Sequence, residues 1–338
     1  MAQIKPSAGV DDRIPLADAL PLASPFTLNV FPTNACNFKC SYCAHSLSDD
    51  ELAKIYNLDK SIMSLETMEA IIEQSKAFPS PYKLLSFMGH GEPLLNRNLP
   101  KMIEMVKKSG IAKRIEIITN ASVLNTVLSD QLIEAGLTNL RISLQGLNSE
   151  SYRNTCGVFL DFEQFLEHIA YFYRQKSDQM GLFVKIMNVS LKPNDEQRFY
   201  DMFGDICDRM YVEHVQPVYH AVSVQEDKSD IRYDRYGNAH LPRQVCPLAF
   251  FSFGVWPNGD VQPCDAIYKP CLLGNVNAST LKEMWQGDNL KQFRIQHLSG
   301  NKNFIQGCAD CCAPDDVSHP LDTLDDRKEE LLKRMCQN

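Results

Sequence analysis

Three cysteines lie within a short segment near the start of the chain, "TNACNFKCSYC". Cys36, Cys40 and Cys43 have the spacing Cys-x3-Cys-x2-Cys and offer three soft thiolate ligands to a metal. Structural zinc uses four ligands, and only His45 stands near enough to be a weak fourth candidate. A redox dithiol of the last two cysteines would leave the first without a role. The spacing favours a [4Fe-4S] cluster with one open iron over zinc, and either metal over a dithiol.

The last hundred residues contain six of the twelve cysteines of the chain. In a reducing compartment so many cysteines indicate metal binding or catalysis rather than disulfides. Cys246 and Cys264 flank a Pro-Asn-Gly-Asp turn signal, so a β-hairpin is expected to bring their sulfurs together. Cys308 and Cys311 supply a second pair downstream. The two pairs are compatible with either zinc or an iron–sulfur cluster.

Alternating strands and helices are predicted between the two groups of cysteines. Apolar runs of strand length predict strands over 26–31, 82–89, 114–119, 139–146, 182–190 and 209–215. Helical spacing of apolar residues predicts helices over 65–77, 99–110, 129–135, 161–176 and 194–206. Six strands alternating with helices imply parallel βαβ units, whose ligand site lies at the carboxyl ends of the strands.

The motif-like segments all follow predicted strand ends and should converge on one face. We expect an N-terminal extension over 1–25, an α/β domain over 26–223 and a smaller C-terminal domain over 224–338. The boundary falls in the polar, charged stretch 224–244, after which the cysteines return.

Composition excludes several classes of protein. The 338 residues are 44% hydrophobic and 22% charged, which is typical of a globular protein. The net charge of −8 argues against nucleic acid or an anionic membrane as the main partner. No apolar run approaches the roughly 20 residues that span a bilayer, and Pro21 and Pro25 interrupt any secretory signal. We therefore expect a cytoplasmic protein.

The N-terminal motifs together resemble the radical S-adenosylmethionine (SAM) superfamily. The cysteine segment is followed in the family's order by "GHGEP" (89–93), "IITNAS" (117–122) and "LRISLQG" (140–146). The resemblance covers about residues 26–215 and implies a partial (β/α)6 TIM-like barrel. His90 and Gln145 depart from the family's usual glycine and aspartate.

The resemblance also implies cofactors and the residues that hold them. A [4Fe-4S] cluster would be bound by Cys36, Cys40 and Cys43, with its open iron taken by SAM. The SAM site would be formed by the following residues: Tyr42, Gly91, Glu92, Asn120, Arg141 and Ser143. The last two lie on one face of their strand by its two-residue period.

The C-terminal segment resembles the SPASM/twitch extension of radical SAM enzymes. Cys312 follows Cys311 directly, and no further cysteine occurs before Cys336, which fits the shorter twitch type. The resemblance implies a small iron–sulfur domain in which one auxiliary [4Fe-4S] cluster is bound by Cys246, Cys264, Cys308 and Cys311.

Radical chemistry on a small polar substrate, a sugar or an aminocyclitol, is the implied activity. Reductive cleavage of SAM would yield a 5′-deoxyadenosyl radical that abstracts hydrogen from a carbinol carbon, as in 2-deoxy-scyllo-inosamine dehydrogenase, which this chain is similar to. Oxidation would need a base, for which Glu213 is the candidate. Epimerisation would need a thiol donor, either Cys156, expected on the loop after the fourth strand, or Cys312. An electron donor such as flavodoxin or ferredoxin is the implied protein partner.

Two alternatives remain open. A peptide or protein maturase of the SPASM type ranks second, because only about 25 residues precede the first predicted strand and the extra SPASM cysteines are missing. A zinc-binding interaction module is the alternative that is not an enzyme.

Overall fold

The computed structural model describes residues 1–6, 13–224, 232–316 and 319–337. Strands in these residues are β1 (Gln3–Ile4), β2 (Thr27–Val30), β3 (Leu84–Phe87), β4 (Ile115–Thr119), β5 (Asn139–Leu144), β6 (Gly181–Met187), β7 (Arg209–Glu213), β8 (Ser252–Val255), β9 (Asp260–Gln262) and β10 (Gly274–Asn275).

The helices of the described residues cover the sheet and the C-terminal domain. They are α1 (Leu16–Ala19), α2 (Asp49–Tyr56), α3 (Leu65–Ser75), α4 (Leu99–Ser109), α5 (Thr126–Glu134), α6 (Ser149–Cys156), α7 (Phe162–Gln175), α8 (Asp195–Phe203), α9 (Leu248–Phe251), α10 (Leu281–Gln286), α11 (Asp288–Leu298), α12 (Ala313–Asp316) and α13 (Lys328–Gln337).

One continuous sheet contains these strands in the order β1-β7-β6-β5-β4-β3-β2-β8-β9-β10. Strands β2 to β7 pair in parallel with their neighbours in chain order, with crossover helices between them. The predicted α/β fold with a partial TIM-like barrel is thereby confirmed.

The two faces of each barrel strand differ in polarity because successive side chains alternate. In β5, Leu140, Ile142 and Leu144 are completely buried in the main hydrophobic core. Arg141 and Ser143 lie on the opposite face, which is the inside of the barrel. The alternation therefore packs the helices against one face and leaves a polar lumen on the other.

The C-terminal domain continues the sheet of the barrel. Strand β8 pairs in parallel with β2, with Leu28 opposite Phe253. Strand β9 then returns antiparallel to β8 through a turn in which Gly259 has a φ of +90°. A positive φ suits glycine, which has no Cβ to clash with the backbone. The hairpin predicted between Cys246 and Cys264 is therefore present.

Three features differ from the expectations. Strand β1 pairs with β7 at the sheet edge, so part of the expected N-terminal extension belongs to the sheet. Helix α6 was not predicted, because its sequence is mostly polar. In the expected boundary stretch 224–244, residues 225–231 lie outside the described part, and Arg235 accepts a backbone hydrogen bond from His214 at 2.9 Å. The domain boundaries stay predictions.

Candidate functional site

The loop that carries the first three cysteines leaves the carboxyl end of β2 and rests on the end of α6. The backbone N–H groups of Lys39 and Ser41 donate to the carbonyls of Cys156 and Thr155 at 3.1 and 2.9 Å. The last carbonyls of a helix have no partner within the helix. Helix α6 therefore satisfies its own end and positions the cysteine loop with the same two hydrogen bonds.

Burial makes the three thiols of this loop weak acids. It raises the pKa of Cys36 to about 12 and that of Cys43 to about 11. Contact with the Cys156 thiol, together with burial, raises the pKa of Cys40 even further. Cysteine binds metal as thiolate, so loading this site with iron must release protons.

Cys156 lies elsewhere than expected. It is the last residue of α6 rather than a loop residue, it is completely buried, and its Sγ lies 3.7 Å from Sγ of Cys40. The expectation that it faces the open end of the barrel on a loop is wrong. The polar segment before it forms a helix that starts with a capping box at Asn148.

The loop after β3 packs directly on the cysteine loop. The N–H of Glu92 donates to the carbonyl of Ala35 at 2.8 Å. A Cβ built on Gly91 would lie 2.4 Å from the carbonyl oxygen of Thr33 and 2.6 Å from that of Ala35. Only glycine permits this close approach of the two backbones.

The Glu92 carboxylate connects the ends of β3 and β4. It accepts hydrogen bonds from the hydroxyl of Thr119 at 2.5 Å, from the N–H of Asn120 at 2.7 Å and from the N–H of Leu94 at 2.9 Å. Burial nevertheless raises its pKa to about 7. This carboxylate holds the site together, and its contact with SAM stays a prediction.

Asn120 and Tyr42 both lie against the cysteine loop. The Asn120 amide donates to the side-chain oxygen of Asn37 at 3.0 Å, which joins the end of β4 to this loop. Tyr42 is buried close to Cys40 and Cys43, and burial raises its pKa well above 10. Their binding to the cofactor is untested.

Ser143 and Arg141 share the lumen face of β5 but occupy different depths. Ser143 lies opposite Lys185 of β6, near the carboxyl end of the strand. Arg141 lies two residues nearer the amino end, where its guanidinium donates to Glu116 at 3.3 Å. The structure thus pairs Arg141 with a carboxylate, and its predicted role in SAM binding stays untested.

The cysteines of the C-terminal domain come together around one cavity of about 350 Å³. All four expected ligands line it: Cys246, Cys264, Cys308 and Cys311. Burial raises the pKa of Cys308 to about 12 and raises those of Cys246 and Cys264 as well. All twelve cysteines of the chain are free thiols. Hairpin β8–β9 and the segment after α11 thus build a site that neither forms alone.

Two other features of this cavity bear on its ligands. The cavity lining found in the described residues includes neither Cys271 nor Cys312. His297 of α11 lines it and is completely buried, which lowers its pKa to about 4. Nothing in the spacing of the cysteines indicated this histidine.

Both sets of cysteines fit iron–sulfur clusters by the chemistry of their donors. Each offers thiols alone from one small region, and the first is completed by the close backbone approach at Gly91. Within the described residues no three Cys, His, Asp or Glu side chains are grouped to hold a single metal ion. A [4Fe-4S] cluster is held by separate thiolates on its irons, so it needs no convergence on one point.

A buried ion pair occupies the lumen between β6 and β7. Lys185 Nζ lies 2.5 Å from Oε2 of Glu213, and Arg235 lies 3.9 Å from the same oxygen. Burial lowers the pKa of Lys185 to about 8, although Glu213 opposes that effect. Burial alone would raise the pKa of Glu213, but Lys185 and the two nearby arginines outweigh it and lower the pKa.

His90 joins the loop after β3 to the C-terminal domain. Its Nε2 donates to the carbonyl of Asp265 at 2.8 Å, next to Cys264, and its ring stacks on Trp256 at 5.4 Å. Its own carbonyl accepts a hydrogen bond from His45 at 2.5 Å. The histidine that stands in place of glycine thus links the two cysteine sites.

Comparison with known proteins defines the class. The sequence profile of the Radical SAM superfamily matches residues 30–205, and that of SPASM, an iron-sulfur cluster-binding domain, matches residues 246–312. The chain belongs to the Radical SAM superfamily. It is a radical SAM enzyme with a SAM-binding [4Fe-4S] cluster, SAM and an auxiliary iron–sulfur site.

Relatives of this chain carry several names. It is 24% identical over 303 residues to a probable GTP 3′,8-cyclase of Methanocaldococcus jannaschii, covering 83% of this chain and 96% of that protein. It is 33% identical to the Methanococcus vannielii protein of that name, but over 39% of this chain and 40% of that protein. An Fe-coproporphyrin III synthase of Methanosarcina barkeri is 29% identical over 38% of this chain and 29% of that protein.

Solved structures share the fold at low sequence identity. Streptococcus suis SuiB bound to the precursor peptide SuiA has a TM-score of 0.65 and 18% identity, covering 90% of this chain and 77% of SuiB. BtrN in complex with AdoMet and 2-DOIA has a TM-score of 0.54 and 18% identity, covering 85% of this chain and 92% of BtrN. Similarity at this level shows the fold alone. No helix of the described residues is long and apolar enough to cross a membrane.

Proposed function

We propose that this enzyme oxidises a carbinol carbon of a small polar substrate, such as a sugar or an aminocyclitol. The observation that carries the proposal is the convergence of Cys246, Cys264, Cys308 and Cys311 on one cavity, in a domain whose sheet continues the barrel. A cluster held by four thiolates has no open iron for a substrate and is suited to electron transfer. Oxidation by a radical route requires such an electron acceptor.

The atoms and electrons of this reaction balance. SAM and the first cluster, when bound and reduced, supply the 5′-deoxyadenosyl radical that takes the carbinol hydrogen atom. The hydroxyl proton then passes to a base in the lumen, and a C=O bond forms as one electron leaves. The auxiliary cluster, when bound, supplies the acceptor for that electron.

Lys185 replaces Glu213 as the proposed base. A base works best when its pKa lies near the operating pH. The cations around Glu213 lower its pKa, which makes this carboxylate a weak proton acceptor, whereas the pKa of Lys185 is about 8. Glu213, 2.5 Å away, positions the amine.

Several features support oxidation of a small molecule over the alternatives. The burial of Cys156 against Cys40 counts against it as the thiol that would return hydrogen in epimerisation. Cys312 remains the candidate for that role. The relative aligned over 96% of its length is named for GTP, a small polar molecule, while the likeness to peptide-bound SuiB is one of fold. Flavodoxin or ferredoxin in the cytoplasm is the proposed electron source.

The test uses anaerobically reconstituted enzyme with SAM, dithionite and a panel of aminocyclitols, sugars, GTP and short peptides. We expect a small alcohol to stimulate formation of 5′-deoxyadenosine and to lose two hydrogens in its product. Turnover should rise as pH passes about 8, because Lys185 loses its proton there, and K185M should abolish the oxidation while sparing SAM cleavage.

The controls separate the possible reactions. The variant C36A/C40A/C43A should make no 5′-deoxyadenosine, and persistent formation would contradict the first cluster site. A product of unchanged mass that carries solvent deuterium would instead indicate epimerisation. Stimulation by peptides alone would indicate a maturase.

A further inference from the structure

His297 occupies the space between two of the proposed auxiliary ligands. Its Nδ1 lies 3.3 Å from the backbone N of Cys246, and its Nε2 lies 3.7 Å from Sγ of Cys308. The ring is completely buried and packs against Phe293 at 4.8 Å between ring centroids. Helix α11 therefore holds both ring nitrogens in fixed contacts.

These contacts decide which ring nitrogen carries the proton. A backbone N–H can only donate, so Nδ1 must accept the hydrogen bond from Cys246. In a neutral imidazole the proton is then on Nε2, the nitrogen that faces the sulfur of Cys308. The only hydrogen bond open to that pair is from the imidazole N–H to the sulfur.

We propose that His297 donates an N–H···S hydrogen bond to Cys308 and thereby raises the reduction potential of the auxiliary cluster. Hydrogen bonds to ligand sulfurs are one of the determinants of cluster potential. Reduction increases the negative charge on the sulfurs, so a donor stabilises the reduced cluster more than the oxidised one. The proposal rests on Cys308 being a ligand, as the proposed function requires. It makes the auxiliary cluster a better acceptor of the substrate electron, and His297 acts through Cys308 as a positioning residue.

The experiment measures the auxiliary cluster alone. All variants are built in the C36A/C40A/C43A background, reconstituted with iron and sulfide, and titrated with dithionite while electron paramagnetic resonance follows the reduced cluster. In H297F we expect the ratio of reduced to oxidised cluster at a fixed potential to fall about tenfold, which corresponds to a shift of about 59 mV for one electron. H297Q keeps an N–H donor within similar reach and should lie near the parent, as should H168F, which changes a histidine of α7 away from the cavity.

A spectroscopic signature gives a second readout. The reduced cluster of the parent should show an exchangeable proton coupling that disappears in deuterated water and is absent from H297F. An H297F cluster with the parent's potential and the parent's coupling would overturn the proposal. If H297F loses its cluster and H297Q keeps it, the donor is supported. Loss from both variants with unchanged folding would contradict it, and a parent without an auxiliary cluster would refute the ligand assignment itself.

Discussion

The buried pair of Lys185 and Glu213 dominates the lumen at the scale of single residues. Both side chains are almost completely shielded from water, with exposures of 7% and 0%. Taking two charges out of water is costly, and their attraction offsets that cost only while both are present. The lumen therefore depends on the pair as a unit, whatever substrate it binds.

Glu213→Gln should destabilise the protein by about 3 kcal/mol, because it leaves the Lys185 ammonium buried without its partner. The loss should shrink between about pH 6 and pH 9. Lys185 then loses its proton more readily in the folded state than in the unfolded state, so stability rises with pH while the unfolded state binds more protons. Urea unfolding of the iron-free protein at both pH values measures this.

Two control variants accompany this prediction. The double variant K185M/E213L removes both charges and should recover most of the stability. E104Q breaks an exposed pair on α4 and should change little. A loss in E213Q that does not depend on pH would contradict the explanation.

Residue types and spacing predicted the cysteine ligand candidates but not their surroundings. Cys308 and Cys311 could be proposed from the sequence because thiols at short spacing have few other roles in a reducing compartment. His297 could not, since a single histidine in a helix carries no signal. Cys156 was misplaced for a related reason, because its helix is too polar to show an apolar stripe.

At the scale of elements, the close approach of two loops shapes the first site. The loop after β3 lies on the cysteine loop at Gly91, where a Cβ would overlap two carbonyl oxygens of the backbone. Backbone atoms cannot move aside as the end of a flexible side chain can. An added methyl group must therefore push the two loops apart.

Gly91→Ala should reduce the iron content of the reconstituted protein from about eight to about four per chain and abolish formation of 5′-deoxyadenosine. The fold itself should persist, because the sheet beneath the loops is unchanged. Iron analysis and circular dichroism on the same sample check both statements.

Gly110→Ala is the matched control. Gly110 ends α4 with a φ of +69° and nothing within 4 Å of an added Cβ. The change should cost about 1 kcal/mol of backbone strain and leave both clusters in place. Full iron content in G91A would show that the loops can adjust, contrary to the expectation.

The sequence predicted the barrel elements well because their packing is periodic. Strand β5 lies within the predicted 139–146, and helix α4 within 99–110. Strand β1 was missed, since two exposed residues have no pattern, and its pairing with β7 depends on a partner some 200 residues away. Contacts of that kind are set by the tertiary fold.

At the scale of the whole molecule, the two matched domains share more than a linker. Strands β2 and β8 are neighbours in one sheet. Trp285 Nε1 donates to the carbonyl of Leu22 at 2.9 Å, and the Gln74 amide donates to that of Val276 at 2.6 Å. The auxiliary site is therefore built on the barrel, and its loss should be felt throughout the chain.

We expect the reconstituted protein to unfold on heating in one transition. Trp256 and Trp285, the only two tryptophans of the chain, both lie in the C-terminal domain, so their fluorescence reports on that domain, while far-ultraviolet circular dichroism is dominated by the barrel helices. The two midpoints should coincide, which is the test of a cooperative transition.

C264S/C308S should lower both midpoints together, because a cluster bound to the folded state alone stabilises whatever unfolds with it. The variant should keep the first cluster, and its remaining iron reports that directly. C207S, a change at a buried cysteine outside both sites, controls for the loss of a thiol. If fluorescence alone shifted and the dichroism midpoint stayed in place, the domains would unfold separately, and the shared sheet would not couple the auxiliary site to the barrel.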